Sequence, residues 1–375
     1  MKNTIVVVGG GVAGLSAAQA ARKQDGEARI LLYHAEPYLP YYRPRVPQLI
    51  IGEADPDKIA VKTEQFYRDQ NIELIQSPVL AVEDGEVVAG DGSREAYTTL
   101  VLATGGESFF PGNIEPEGPV QGLRTVADAY KLQERLCVGD PVIVVGGGLL
   151  GLEAATYLKR AGMKVTVLEG ESGLLNRQLD EDGSRRLEEE AENFGIAVRL
   201  NARVSAVEGH AILLEDGEKL EGAALLFSIG MRANTELARK MGLAVNRAVV
   251  VNSAMETSKA GVYAAGDAAE VDGRNYGLFN ISMEQGAVAG TNAAGGKAVW
   301  QPPVIPYVMQ ALGVQTFAMG ELTGERVQKE DAKGYRALYH REGRIVGAVW
   351  VGEKCPMALL RKAVSQNASL AEIQL

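Results

Sequence analysis

Thiols are scarce in this chain: its 375 residues include two cysteines, Cys137 and Cys355. They lie far apart in sequence, so neither a disulfide framework nor a cysteine metal site can be built from neighbours. Histidine is just as thin, with His34, His210 and His340 scattered along the chain. Metal catalysis is therefore not expected, and no residue is assigned as a metal ligand. Long apolar runs are missing too; none approaches the roughly 18 to 20 residues that cross a bilayer. The opening segment has Lys2 before an apolar stretch and small residues at Ala18 and Ala20, as a leader peptide would. However, the consecutive glycines Gly9, Gly10 and Gly11 read as a strand turning tightly into a helix, and the expectation is a cytoplasmic protein. Nor is there an excess of positive charge. A net charge of −10 argues against sequence-nonspecific nucleic-acid binding and against anionic membranes. The charge is uneven: residues 301–375 hold 9 Lys+Arg against 7 Asp+Glu, and residues 1–300 hold 29 against 41.

What the chain has in quantity is glycine, 44 residues, in a composition that is 46% hydrophobic and 23% charged. That is a folded protein with many tight turns, and its length exceeds what one hydrophobic core organises. Thr4 to Val8 is an uncharged β-branched run, as a strand buried on both faces would be. Gly9, Gly11 and Gly14 follow in GxGxxG spacing and open an alanine-rich segment. The first glycine makes the tight turn, the second lets backbone approach a pyrophosphate, and the third lets helix and strand pack closely. A second strand, "ARILLYHAE", ends at Glu36, where a carboxylate can bond ribose hydroxyls.

The chain then writes the same sentence again. Strand "PVIVV" leads into Gly146, Gly148 and Gly151, a helix runs on to Gly162, and strand "KVTVLE" ends at Glu169. One GxGxxG is weak, since glycine turns also arise for packing; the complete strand, turn, helix, strand and terminal Glu written twice is strong. Segments ending at Gly105 and Gly230 also align without a gap, each reading as short alternating strands and then an apolar strand. The fold class is thus α/β, with two Rossmann-like dinucleotide-binding domains and a small α+β C-terminal domain. The expected boundaries are 1–108 with 233–300, 109–232, and 301–375. "GVYAAGD" is a short strand ending in Gly-Asp, which puts Asp267 at a carboxyl end where open α/β sheets bind ligands; capping the following turn is the plainer alternative.

The order GxGxxG, "LVLATGG", "GGGLLGLE", "SIGMRANTEL", "GVYAAGDAAE" resembles the pyridine nucleotide-disulfide oxidoreductase superfamily over nearly all of the first 300 residues. "YLPYYRPR" at 38–45 is most similar to its NADH:rubredoxin oxidoreductase branch. The resemblance implies FAD held by the first domain and NADH bound by the second. It assigns Gly9, Gly11, Gly14, Glu36 and Arg43 to FAD, with Thr104 and Gly105 lining the crossover and Asp267 beside the ribityl or pyrophosphate region. The segment 282–296 reads as a helix whose N-terminus, in family position, faces the flavin pyrimidine. Glu153, on the helix after the second glycine turn, corresponds to the family carboxylate near the nicotinamide and is the candidate catalytic residue. Glu169 favours NADH over NADPH, because a carboxylate accepts from a ribose 2′-OH and repels a 2′-phosphate; Arg177, the next arginine, belongs to a family loop motif.

Disulfide-reducing relatives place a Cys-x-x-x-x-Cys pair after the first β-α-β unit, where this chain has "PYYRPRVPQLIIGE". Sulfur-relay chemistry is therefore not expected. Gln48 stands near the place where ferredoxin-reducing relatives carry a lysine. Cys137 and Cys355 are expected to be buried apolar residues. The resemblance implies an FAD enzyme passing electrons from NADH to rubredoxin or a similar small acidic carrier. The alternatives are an NADH oxidase, a donor module for another reductase, or a non-catalytic flavin redox sensor. The tail reads as strands, with a hairpin across Glu342 and Gly343 and a helix near 356–366. Its Lys329, Lys333, Arg336, Arg361 and Lys362 either dock the acidic partner or form ordinary solvated surface.

Overall fold

Uncharged β-branched runs lower their free energy most when both faces leave water, and Ile5, Val6 and Val7 have no exposed surface at all. Each such burial stabilises by about 1.5 to 3 kcal/mol. In the computed structural model, which describes residues 3–112 and 114–373, strand Thr4–Val8 lies at the centre of a parallel sheet. The spatial order is Val262–Ala264, Thr99–Leu102, Thr4–Val8, Arg29–His34, Ile72–Gln76. The helix Val12–Gln24 packs against the helix Phe279–Ala293. The approach is close enough that a Cβ on Gly286 or Gly290 would sit 2.1 Å from Ala13 O or 1.9 Å from Ala17 O.

The second sheet repeats the first. Its order is Ala197–Arg199, Lys164–Leu168, Pro141–Val145, Ala224–Phe227, Val120–Gln121, again all parallel. Each parallel sheet carries a three-stranded antiparallel insert, Val79–Ala96 in one and Val204–Glu221 in the other. This is the Rossmann-like α/β architecture, present in two copies.

A third five-stranded sheet is antiparallel, in the order Tyr307–Ala311, Val314–Gly320, Arg344–Gly352, Gly334–Arg341, Glu325–Asp331. The turn between its two longest strands is Glu342–Gly343, both at positive φ (49° and 73°), the backbone twist a two-residue hairpin requires. Helix Met357–Ser365 covers one face through Leu360, Ala363 and Val364. Helix Glu181–Asn193 packs on strands Gly334–Arg341 and Arg344–Gly352.

By internal contacts the chain forms two compact units, Met1–Ser108 with Gly230–Gln301, and Phe109–Ile229 with Pro302–Leu375. Element ends shift slightly from the sequence reading. Strand Arg29–His34 stops before Glu36, leaving that carboxylate on the loop beyond the sheet. Helix Phe279–Ala293 begins earlier than residue 282; it stops short of 296 because Gly295, at φ 87°, takes the left-handed conformation that ends helices.

Candidate functional site: two glycine cradles and their carboxylates

In the first unit Gly9 ends its strand at φ 120°, where a Cβ would lie 2.0 Å from Ala103 O. A Cβ on Gly14 would lie 1.9 Å from Gly9 O. These two positions close the turn. Gly11 does the opposite: it is the N-cap of helix Val12–Gln24, has no side-chain cap, and a Cβ there would meet nothing within 4 Å. No side chain caps the first-turn N–H groups and room is left beside Gly11, as at a helix N-terminus that takes an anion. This cradle fits a pyrophosphate.

Beside it, Glu36 and Arg43 form one network. Arg43 Nη2 donates to Glu36 Oε1 at 2.6 Å, Tyr41 OH donates to Glu36 Oε2 at 2.6 Å, and Arg43 Nη1 donates to Tyr41 OH at 3.0 Å. The guanidinium also stands 5.0 Å over the Tyr41 ring. A carboxylate has about four acceptor sites, so two bonds leave Glu36 able to receive ribose hydroxyls. Asp267 joins the same region electrostatically through Arg43, and its Oδ1 accepts from Ser282 Oγ at 3.2 Å. Thr104 and Gly105, at the end of the neighbouring strand, are tied to Asn234: Thr104 Oγ1 donates to Asn234 O, and Asn234 N donates to Gly105 O.

Sequence reasoning missed Gln285. Its Oε1 accepts from Gly266 N at 3.0 Å while its Nε2, 1% exposed as a residue, is a buried donor with no partner. An unsatisfied donor beside the Gly266–Asp267 turn fits a cofactor acceptor there. Nothing in the sequence of that helix, which also carries Asn280, Ser282, Glu284, Thr291 and Asn292, singles the glutamine out. Gln48 is already engaged, since its Oε1 accepts from Arg45 Nε.

The second cradle copies the first. Gly146 lies at φ 112° with its absent Cβ 2.4 Å from Ser228 O, and that of Gly151 would be 2.0 Å from Gly146 O. Gly148 is the uncapped N-cap of helix Leu149–Arg160, open beyond 4 Å. Glu169 differs from Glu36 in what holds it. Its Oε2 accepts from Gly147 N at 2.7 Å and its Oε1 from Glu171 N at 2.9 Å, with no cation on either oxygen among the described residues. The negative field of Glu169 is thus less compensated. Arg177 is exposed, but the chain brings in an arginine that spacing did not anticipate: Arg203 Nε donates to Gly170 O, and its Nη2 pairs with Glu171 at 3.5 Å.

Glu153 lies in the first turns of the helix that Gly148 opens, half-buried. No hydrogen bond or ion pair reaches its carboxyl among the described residues. Burial alone raises its pKa to about 7, so it exchanges a proton near neutrality.

Three expectations are corrected. Cys137 is exposed, in the loop between helix Val126–Arg135 and strand Pro141–Val145, with its amide donating to Asp140 Oδ2. The helix ends two residues before it, at Arg135. Cys355 is half-buried, and burial pushes its thiol up to about 12, which makes it inert. Arg336 belongs to neither a docking patch nor a solvated surface. It is 8% exposed, pairs with Asp331 and lies over the Trp350 ring.

A family model described as pyridine nucleotide-disulphide oxidoreductase matches residues 3–291. The chain is 29% identical to NADH-rubredoxin oxidoreductase of Clostridium acetobutylicum, over 100% of this chain and 97% of that protein. It is 32% identical to rubredoxin-NAD(+) reductase of Pseudomonas putida, over 71% of each. The crystal structure of the Clostridium acetobutylicum NADH:rubredoxin oxidoreductase superposes with a TM-score of 0.80 at 28% identity, covering 98% of this chain and 96% of that one. With two glycine cradles, each paired with a terminal glutamate, and a match of this extent, the chain belongs to the pyridine nucleotide-disulphide oxidoreductase family.

Proposed function

We propose that the chain is an FAD-dependent oxidoreductase that takes electrons from NADH and delivers them to a small acidic one-electron carrier of the rubredoxin type. Its place of work is the cytoplasm. The observation that carries the reading is the contrast between two cradles of the same glycine spacing. The first has its carboxylate locked to Arg43 and Tyr41 and carries the orphaned donor of Gln285, suited to a cofactor held permanently. The second presents Glu169 on backbone amides alone, suited to a nucleotide that comes and goes.

In this reading Gly9, Gly11 and Gly14 give the FAD pyrophosphate its amide-lined seat, Glu36 accepts from the adenosine ribose, and Arg43 and Asp267 orient the cofactor with Thr104 and Gly105 beneath it. Gly146, Gly148 and Gly151 seat the NADH pyrophosphate. Glu169 accepts from the adenosine ribose 2′-OH and turns NADPH away. Glu153, half-buried and exchanging a proton near neutral pH, orients the nicotinamide carboxamide. FAD supplies the conversion of a two-electron donor to one-electron delivery. Neither half of the first unit contains a cysteine, so delivery is to a protein docked at the flavin rim and not through sulfur.

Stopped-flow mixing with NADH and with NADPH, followed by reoxidation with purified rubredoxin, tests this. The expected result is bleaching of the bound flavin faster by NADH, and reoxidation that accelerates with rubredoxin concentration. Equal bleaching by NADPH overturns the Glu169 role, and reoxidation indifferent to rubredoxin overturns the acceptor.

A further inference from the structure

The second unit contains a buried carboxylate that the proposed reaction does not use. Asp180 is the N-cap of helix Glu181–Asn193, and its Oδ1 performs that duty by accepting from Gly183 N at 2.8 Å. Its Oδ2 is not needed for capping. That oxygen accepts from Tyr335 OH at 2.6 Å, from Tyr339 OH at 2.6 Å and from Arg326 Nη1 at 3.4 Å, all three on the C-terminal sheet. The Asp180 side chain is only 8% exposed. Arg326 reaches on to Asp182 at 2.8 Å. Burial and the neighbouring carboxylate hold the Tyr339 phenol up at about 12, and that of Tyr335 higher still. Both therefore remain O–H donors throughout the working pH range.

The loop that ends at Asp180 begins at the second cradle. Leu175 N donates to Gly147 O at 3.1 Å, on the residue whose own N–H is held by Glu169. Leu174 fills the space over Gly147, where a Cβ would stand 2.5 Å from Leu174 Cδ2. Leu174 O in turn accepts from Ser184 Oγ in the first turn of the helix that Asp180 caps. Leu175 itself sits at φ 49°, a left-handed conformation that a leucine keeps only when its surroundings impose it. Leu174, Leu175 and Leu179 are all buried. From the C-terminal sheet to the glycine turn, every link is a hydrogen bond or a packed side chain.

We infer that Asp180 is a positioning residue for dinucleotide binding: by gripping Tyr335, Tyr339 and Arg326 it uses the C-terminal sheet to hold the loop 170–180 against Gly147, so that the glycine turn and Glu169 are set before the nucleotide arrives. The inference rests on the reading of the second cradle as the NADH site. A ligand meeting a preset turn loses less in ordering it, so the clamp acts on affinity and not on the chemical step.

The test uses the full-length, FAD-loaded protein and titrates NAD+ calorimetrically, a ligand that cannot reduce the flavin, alongside steady-state NADH kinetics. Asp180→Asn keeps a helix-capping oxygen but weakens the grip. The Tyr335→Phe/Tyr339→Phe double variant removes only the two hydroxyls and serves if the first variant fails to fold. The expected result is a Kd for NAD+ and a KM for NADH raised about tenfold, with kcat at saturating NADH within about twofold and flavin absorbance per protein unchanged. A folded double variant that binds NAD+ as tightly as the parent overturns the inference, as does a fall in kcat with KM untouched. Failure of the unmodified protein to bind NAD+ is a separate result, which overturns the cradle assignment and the inference with it.

Discussion

Replacing Glu153 with glutamine removes a single proton equilibrium while keeping the side-chain shape, and its consequence can be worked through with sign and size. Burial raises the folded-state pKa from 4.5 to about 7. Below pH 4.5 the carboxyl is protonated in folded and unfolded chains alike and contributes nothing to the difference. Between pH 4.5 and 7 it ionises in the unfolded chain only, so the folded state loses ground as pH rises; above 7 the full penalty is present. A difference of this size corresponds to at most about 3 to 4 kcal/mol at 1.36 kcal/mol per pKa unit. The side chain keeps some contact with water, so about 1 to 2 kcal/mol is the working figure. Glu153→Gln is therefore expected to melt about 2 to 8 °C above the parent at pH 8.5, at about 2 to 4 °C per kcal/mol, and together with it at pH 4.5. Differential scanning calorimetry at the two pH values measures this. A variant equally stabilised at both, or at neither, refutes the claim that Glu153 titrates near neutrality. The parent's NADH affinity should also titrate near pH 7, and the variant's should not.

Three further outcomes follow from distances already given. Gly11→Ala should fold with stability within about 1 kcal/mol of the parent but lose flavin on dialysis, whereas Gly9→Ala, driven into Ala103 O, should lose more than about 3 kcal/mol or fail to fold; urea melts and absorbance at the flavin band distinguish the two. Glu169→Ala should raise the NADH KM about tenfold and shift the NADPH-to-NADH ratio of kcat/KM towards NADPH by a similar factor, and an unchanged ratio would show that the carboxylate does not select. Glu36→Gln breaks a partly buried ion pair with Arg43, so urea unfolding should show a loss of about 1 kcal/mol, with faster flavin release; flavin retained as in the parent would count against the network.

The duplicated cradle was visible in sequence because its constraints are local. Whether a glycine turn can close depends on a few neighbours along the chain, and Thr4–Val8 and Pro141–Val145 announce themselves by having no charge at all. What stayed hidden was everything made by chain return. Glu36 could be placed at the end of its strand, but not its bond to Tyr41, because "YLPYYRPR" does not say which tyrosine turns inward. Arg203 reaches the Glu171 loop from beyond the next strand, and no spacing rule measures that. Asp180 reads as a helix cap, and half of it is one; its other oxygen is satisfied by residues some 150 positions later. Arg336 looked like one more surface cation because a charged residue in an alternating strand usually points outward. Here that strand is covered on both faces. Cys137 erred the other way, an apolar-looking residue left outside by a helix that ends at Arg135.

The interleaving of the two units has a consequence for synthesis. The sheet strand Val262–Ala264 lies against Thr99–Leu102, and the first helix waits for Phe279–Ala293 to cover it. Neither partner has left the ribosome while residues 109–229 are being made. That middle stretch in turn lacks the antiparallel sheet it is grouped with until residues 307–352 have been made. During elongation, therefore, the first sheet waits with the edge of Thr99–Leu102 open, a state prone to pairing with the wrong neighbour.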